Sequence, residues 1–568
     1  MRAKSIYLVL GLATVLSAGQ TKISRDLTAV QGSAPVRVIL QYRTPSNQGR
    51  LRQLAARVGG VVTELPSIRS VSFSIPADQV EQLAADPQVD YITLDRPVRN
   101  MMDYTAAAAS ANIVRQYGWN GTGVAVAVID SGICPSNDLR ESGLPGAALL
   151  ARSRIVYRES FLPLPAGGFD RYGHGTHVAG ILAGNGWYSE HVPNSTRSLE
   201  GIAPGVKLVD LQVLDGNGMS SDSAVIAALG RAIELKDRYN IRVVNLSLGR
   251  PVYESYQLDP LCQAVEAAWK AGLTVVVAAG NFGRDGFPGS DGYWTITSPG
   301  NDPHVITVGA MKTEGTPERA DDRIASYSSK GPTLFDAVVK PDLVAPGNHV
   351  ASILADPAPV LAVQYPGNQV PAAYYGGSGA SQYLWLSGTS MATPVVSGAA
   401  ALLLQKDPDL TPDQVKARLM KTAGKAFPTF STVLDPATGR AYRSQYDIFT
   451  VGAGYVDIAA ALADPNVPAG SALSPAAVYD AASGSTYVVA PDGSAWSSSA
   501  ASGLGAVWGP LLLGPGVSAP GAASAAWGAS AAWGSSAAWG SSAAWGASAA
   551  WGSSAAWGAT TSVVAGEV

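Results

Sequence analysis

Asp130 closes the apolar run Val126-Ala-Val-Ile129 and is followed by Ser131-Gly132. A strand-end acid either forms a turn or pairs with a cation or N–H group, because an unpaired carboxylate is costly to desolvate. His174 and His177 stand three apart in Gly173-His-Gly-Thr-His-Val-Ala-Gly180, at the apparent start of a helix whose small residues permit close packing on a sheet. A metal pair is the competing reading, but the glutamate of an H-E-x-x-H pattern and an obvious third ligand are both missing. Ser390 lies in Ser387-Gly-Thr-Ser-Met-Ala-Thr-Pro394, ahead of an apolar helix over 395–404. A serine there can simply cap the helix; its small neighbours would also admit a substrate backbone, and the helix dipole favours developing negative charge. Asn281, in Ala278-Ala-Gly-Asn281, ends another apolar run and could donate to an oxyanion. Together these residues supply nucleophilic acyl transfer: Ser390 attacks, a histidine takes its proton, and Asp130 orients the imidazole and stabilises the imidazolium.

Such residues need a rigid scaffold. From about residue 106 apolar runs at 123–129, 206–214, 242–248, 273–279 and 305–308 alternate with helical stretches such as 223–237 and 259–270. Nearly continuous apolar strands joined by helices imply an α/β fold with a mainly parallel sheet covered on both faces, whose strand carboxyl ends gather ligands. The last helix of this unit follows Gly452-Ala-Gly-Tyr-Val-Asp457 and ends near Ala463. Ahead of it, residues 36–98 read as strand 36–42, helix 48–58, two strands within 61–75, helix 77–85 and strand 89–94. That order, βαββαβ, is a small α+β unit, either a binding module or a pro-segment.

The 568 residues are 47% hydrophobic and 14% charged, with 39 basic against 43 acidic side chains and a net charge of −4. A large core is therefore expected, and nucleic acid is excluded as a partner because no polybasic run is present. Arg2 and Lys4, an apolar run over 6–16 and Ser17-Ala-Gly19 read as a secretory signal over 1–19. The run falls short of the ~20 residues a membrane span needs. Cys134 and Cys262 are the only cysteines; one disulfide or two buried thiols are both open. Eight of the 13 Trp fall from Trp496 onward.

The motifs D-S-G at Asp130, H-G-T-H-V-A-G at His174, A-A-G-N at Asn281 and G-T-S-M-A-T-P at Ser390, in that chain order, resemble the subtilisin-like serine peptidase family, and the likeness spans roughly 36–463. The resemblance implies a subtilisin-like three-layer sandwich over 106–463, preceded by an inhibitor-type prodomain over 36–98. It implies a secreted endopeptidase made as an auto-inhibited precursor, acting on protein or peptide substrates through an acyl-enzyme and needing no cofactor for catalysis. His174 is implied as general base, His177 as structural, and Asn281 with the Ser390 N–H as oxyanion donors. Ser247, Leu248 and Gly249 resemble the strand that pairs with substrate, while Ala278, Ala279 and Gly280 resemble pocket walls. Lys340-Pro-Asp-Leu-Val-Ala-Pro-Gly347 also matches, in a structural role. The prodomain is implied to template folding and to block the cleft with its C-terminal tail, with cleavage inside 96–110. The loop 185–200 is longer than in a compact family member. Family members often bind calcium near it, and Asn185 and Glu190 are candidate ligands, but no run of oxygen donors spells out a site and the metal stays unassigned. Asn194-Ser-Thr196 is a glycosylation sequon that matters only in a eukaryotic host.

The tail, 464–568, stands apart. No charged residue occurs from Gly493 to Gly566, and Ala-Ala-Trp-Gly recurs with Trp at 527, 533, 539, 545, 551 and 557. A six-residue period spreads Trp over several helix faces but keeps them on one strand face. Such a ladder suits packing into a sheet or carbohydrate or cell-surface contact; a solvated low-complexity tail is the plainer reading. An alternative function follows: an inactive peptidase scaffold presenting an adhesive tail.

Overall fold

The runs expected as strands form one sheet. The computed structural model describes residues 22–495 apart from 29–31, 34, 44–62, 96, 101–107, 116, 142–151, 164–168, 193, 196, 285–289, 317, 357, 435–438, 481–484 and 492–493. Ile306–Lys312, Thr274–Ala278, Ile241–Leu246, Ala125–Asp130 and Lys207–Gln212 lie side by side in that order, all parallel. Ile155–Ser160 adds a parallel strand at one edge and Arg323–Ile324 an antiparallel one at the other. Leu343–Pro346, from the Lys340-Pro-Asp segment, also pairs in parallel with Ile306–Lys312. The five central strands are buried almost throughout, as expected of apolar strands covered on both faces. Helices Thr389–Lys406 and His174–Ala183 pack together on one face; Asp222–Tyr239 and Pro260–Lys270 pack together on the other. Every residue from Thr389 to Leu404 is buried, so this helix runs through the core rather than along it. The fold is therefore the expected α/β sandwich. No described helix is long and apolar enough to cross a membrane.

The chain does not leave this core at Ala463. Ala472, Ala477 and Val488 belong to the main apolar cluster. Val339 donates its amide to Pro475, Ala477 donates to Ala337, and Ala476–Asp480 pairs with Ser485–Val489 as a hairpin. The sequence boundary at 463/464 missed this hairpin because two five-residue strands carry too little periodicity to stand out.

Residues 35–94 form a four-stranded antiparallel sheet in the order Thr63–Leu65, Ser70–Pro76, Pro35–Tyr42, Val89–Leu94. Alternation along Pro35–Tyr42 divides its side chains: Val38, Leu40 and Tyr42 fill a small separate core, while Ile39 joins the main one. The sheet thus sits with one face against helices Asp222–Tyr239 and Pro260–Lys270, beside which Leu65 and Ile68 are also buried. The expected helix 48–58, the signal segment 1–19 and the Trp repeats lie outside the described residues.

Candidate active site

Ala125–Asp130 is the strand at which the sheet's connections change direction, so a crevice opens at its carboxyl end. Asp130 stands there, almost fully buried, with Oδ1 2.7 Å from Nδ1 of fully buried His174 and accepting the Ser131 amide at 2.7 Å. An acceptor on Nδ1 fixes the imidazole as the Nδ1–H tautomer and leaves Nε2 as its basic atom. His174 is the first residue of its helix. Gly175 permits the approach: a Cβ at that position would lie 2.2 Å from the Gly132 carbonyl and 3.1 Å from Asp130 Cβ.

Sequence reading passed over Asp170, which joins these two pieces. Its fully buried carboxylate accepts from Ser131 Oγ (2.8 Å), Gly173 N (2.7 Å), Thr176 N (2.8 Å) and Thr176 Oγ1 (2.6 Å). It therefore ties the Asp130 turn to the first turn of the His174 helix. Burial raises its carboxyl above the usual range, opposed by these four donors. Its place four residues before His174 was a readable signal, since an acid just ahead of a helix start is a natural cap.

Ser390 is the second residue of its helix, and Pro394 shapes its surroundings. Proline has no N–H for the Ser390 carbonyl four residues back, so that carbonyl needs another donor. Ser247 Oγ provides it at 2.8 Å, and Ser390 Oγ donates in return to the Ser247 carbonyl at 3.1 Å. His174 Nε2 has no hydrogen-bond partner, so the expected Ser390–His174 bond is not made in this conformation. Such bonds commonly tighten only with substrate present. Asn281 Oδ1 accepts both the Thr389 amide and the Thr389 hydroxyl at 3.0 Å. Because the amide N–H can only donate, this fixes which end of Asn281 is oxygen and leaves the NH2 as its donor side. The Ser390 N–H, in the first turn, is one of the groups a helix leaves without an intrahelical acceptor.

The expected substrate strand is engaged. Leu248 and Gly249 pair antiparallel with Asn100 and Arg99, and Pro97–Asn100 pairs on its other edge with Met219–Ser221. The chain leaving the N-terminal unit therefore lies between two strands of the crevice. Met219–Ser221 was not identified from sequence; three polar or flexible residues carry no strand signal. Ala278, Ala279 and Gly280 are all buried beside it: the Ala279 carbonyl accepts Thr297 N, and the Gly280 amide donates to Thr389 Oγ1 at 3.2 Å. A Cβ on Gly280, whose φ is +116°, would meet Ser329 Oγ at 2.5 Å.

The remaining expectations resolve plainly. His177 Nε2 faces the carbonyls of Leu384 (2.9 Å) and Val350 (3.2 Å) inside the core, and burial holds its pKa down to about 3. Cys134 and Cys262 are two separate buried thiols, Cys134 pushed up to about 11 by burial. Asn185 and Glu190 do not fit a calcium cage. Asn185 Oδ1 accepts Trp187 N, Glu190 Oε1 accepts Ser198 Oγ, and the carbonyls of Asp138, Arg140, Ala183 and Val206 are gathered by the buried Arg154 guanidinium.

Residues 121–455 match the family model described as the subtilase family, peptidase S8. Serine protease AprX of Bacillus subtilis (strain 168) is 36% identical over 345 residues, covering 59% of this chain and 69% of that protein. Subtilisin E of the same organism is 29% identical over 433 residues, covering 74% and 94% respectively. Among solved structures, fervidolysin from Fervidobacterium pennivorans, a keratinolytic enzyme related to subtilisin, superposes with a TM-score of 0.54 at 22% identity. That superposition covers 80% of this chain and 64% of fervidolysin.

Proposed function

The chain belongs to the subtilase family and is a subtilisin-like serine endopeptidase; we propose that Asp130, His174 and Ser390 are its triad and that it is exported as an auto-inhibited precursor. The steps are those general to peptidases of this type. A peptide lies along Ser247–Gly249 and Met219–Ser221 in place of Pro97–Asn100. Ser390 Oγ turns from the Ser247 carbonyl to His174 Nε2, gives up its proton there and attacks the scissile carbonyl. Asp130 holds the imidazolium through Nδ1–H. The tetrahedral oxyanion accepts from Asn281 Nδ2 and the Ser390 N–H. His174 then protonates the leaving amine, and water repeats the sequence on the acyl-enzyme. Protein and peptide chains are the substrates, and the buried alanines and glycine at 278–280 leave room for a sizeable apolar side chain beside the cut bond.

The observation that carries the precursor reading is Pro97–Asn100 paired on both edges within the crevice. A segment that fills the substrate register blocks it, and processing is expected within 96–110. Export through the 1–19 segment keeps the active form outside the cell. The six-residue Trp period of the tail, which would set the rings on one face of a strand, suits surface or carbohydrate attachment. Fluorophosphonate labelling tests the triad. Secreted wild type should label and Ser390→Ala should not; no labelling of processed wild type, or equal labelling of both, rejects the reading and leaves an inactive scaffold.

A further inference from the structure

We propose that Arg158 and Asp210 form a positioning pair for Asp130, clamping both backbone groups of Ile133 and so fixing the turn that follows the triad acid. This rests on the triad reading above. Strand pairing places Arg158 beside Asp210 and Asp210 beside Val128, with Gln212 beside Asp130 two residues on. With a period of two, residues 128, 130, 210 and 212 all face one side of the sheet. Asp210 Oδ2 accepts from Ile133 N at 3.1 Å and from the Arg158 guanidinium at 3.0 Å, and that guanidinium also donates to the Ile133 carbonyl at 2.5 Å. Gln212 Nε2 donates to the Ser131 carbonyl at 2.8 Å. Neighbouring strands thus hold the turn at two points beyond Asp130. The approach of Gly175 to the Gly132 carbonyl means that any movement of this turn also displaces Asp130 against His174. Misplacement by ~1 Å at a reacting centre can cost on the order of a hundredfold in rate.

Three charged groups face Asp210: Arg158 from the edge strand, Asp130 from the adjacent central strand, and Asp170 from the segment before the His174 helix. Its Oδ1 is buried without a hydrogen-bond partner. Burial is the dominant cause that pushes its carboxyl up to about 8, against the pull of Arg158 and the Ile133 amide. Ionisation of Asp210 near pH 8 adds a negative charge beside Asp130 that favours the imidazolium formed during reaction.

The test is steady-state kinetics of processed enzyme on a peptide anilide from pH 6 to 10, normalised to fluorophosphonate-titrated sites. Asp210→Val removes the clamp and should lower kcat about tenfold with KM within twofold. Asp210→Asn keeps an acceptor for Ile133 and Arg158, and should recover most of that kcat at pH 7 while lacking the wild-type rise near pH 8. If Asp210→Val does not accumulate, Arg158→Met opens the same clamp and is read by the same criteria. Wild-type kcat and pH profile in the clamp variant, or a loss that Asp210→Asn does not recover, overturns the proposal. Wild type that fails to label overturns the triad reading and this one with it; labelled wild type with an indifferent clamp variant overturns this one alone.

Discussion

Ser390 and Ser247 hold each other, hydroxyl to carbonyl in both directions, and Pro394 is the reason. An ordinary residue at 394 would give its N–H to the Ser390 carbonyl and leave the Ser247 hydroxyl to find another acceptor. The serine is thereby fastened to the link between strands Ile241–Leu246 and Leu248–Gly249, and in the proposed mechanism its side chain turns from there toward His174. Asn281 is fixed with comparable economy, its oxygen bound by both donors of Thr389. Replacing it by alanine should lower kcat by on the order of 10²–10³ with little change in KM, the range seen when one oxyanion donor is removed from a subtilisin. Presteady-state acylation rates would show whether the loss falls on the chemical step.

At the scale of elements, buried cations and one neutral histidine lock the pieces together. Lys416 Nζ donates to the carbonyls of Pro303 (2.8 Å), His304 (3.1 Å) and Val305 (3.0 Å) and lies 3.2 Å from Asp342 Oδ1, while Lys340 Nζ donates to Asp342 Oδ2 at 2.7 Å. Desolvation acts to raise the Asp342 carboxyl, but Lys340 and Lys416 hold it below the usual carboxylate range, while burial pushes Lys416 itself down to about 7. His177 works differently. It fastens its helix to the two-stranded sheet of Val350–Ile353 and Tyr383–Leu386 as a neutral ring. The unfolded chain protonates this residue near pH 6.5, whereas the folded chain resists until about 3. Stability from this residue is therefore complete above pH 6.5 and drains as pH falls toward 3, by about 1.4 kcal/mol per unit. The difference in unfolding free energy between Ser390→Ala and the double variant Ser390→Ala, His177→Gln should shrink along that slope as pH falls from 6.5 to 5, since contributions common to both, such as that of Asp210, cancel.

Across the whole molecule, the N-terminal unit and the peptidase meet through buried polar contacts as well as apolar ones. Asp95, its side chain fully buried, accepts from Ser223 N at 2.6 Å at the start of helix Asp222–Tyr239, from Ser72 Oγ at 2.7 Å and from Arg37 at 2.7 Å. The carboxylate caps that helix from another unit, where the dipole favours it. Tyr91 and Thr93 both bond Glu254 from the same strand region, and Gln41 bonds Gln263. A separate 20–100 polypeptide should inhibit processed enzyme. Asp95→Ala in that polypeptide should weaken inhibition by roughly 2 kcal/mol or more, since it strands buried donors on the partner. Inhibition unchanged by the substitution would mean that this cap contributes nothing to docking.

The sequence by itself determined the local choices. Apolar runs became buried strands within a residue or two, except that the run 305–308 extends to Lys312, and residues 89–94 form the strand Val89–Leu94 with the expected limits. The segments carrying Asp130, His174, Asn281 and Ser390 were legible because small residues and strand-end positions mark places where backbone must approach backbone. The tertiary structure alone decided what those segments meet. Asp210 reads as an ordinary polar residue, since Ile133 and Arg158, which give it a role, lie 77 and 52 residues away; the local cap of Asp170 was readable, but its bond to Ser131 was not. The edge strand Ile155–Ser160, the hairpin past Ala463 and the engaged strand Pro97–Asn100 were hidden for the same reason: short, partly polar segments acquire structure from the neighbours that pair with them, and periodicity records only a segment's own buried face.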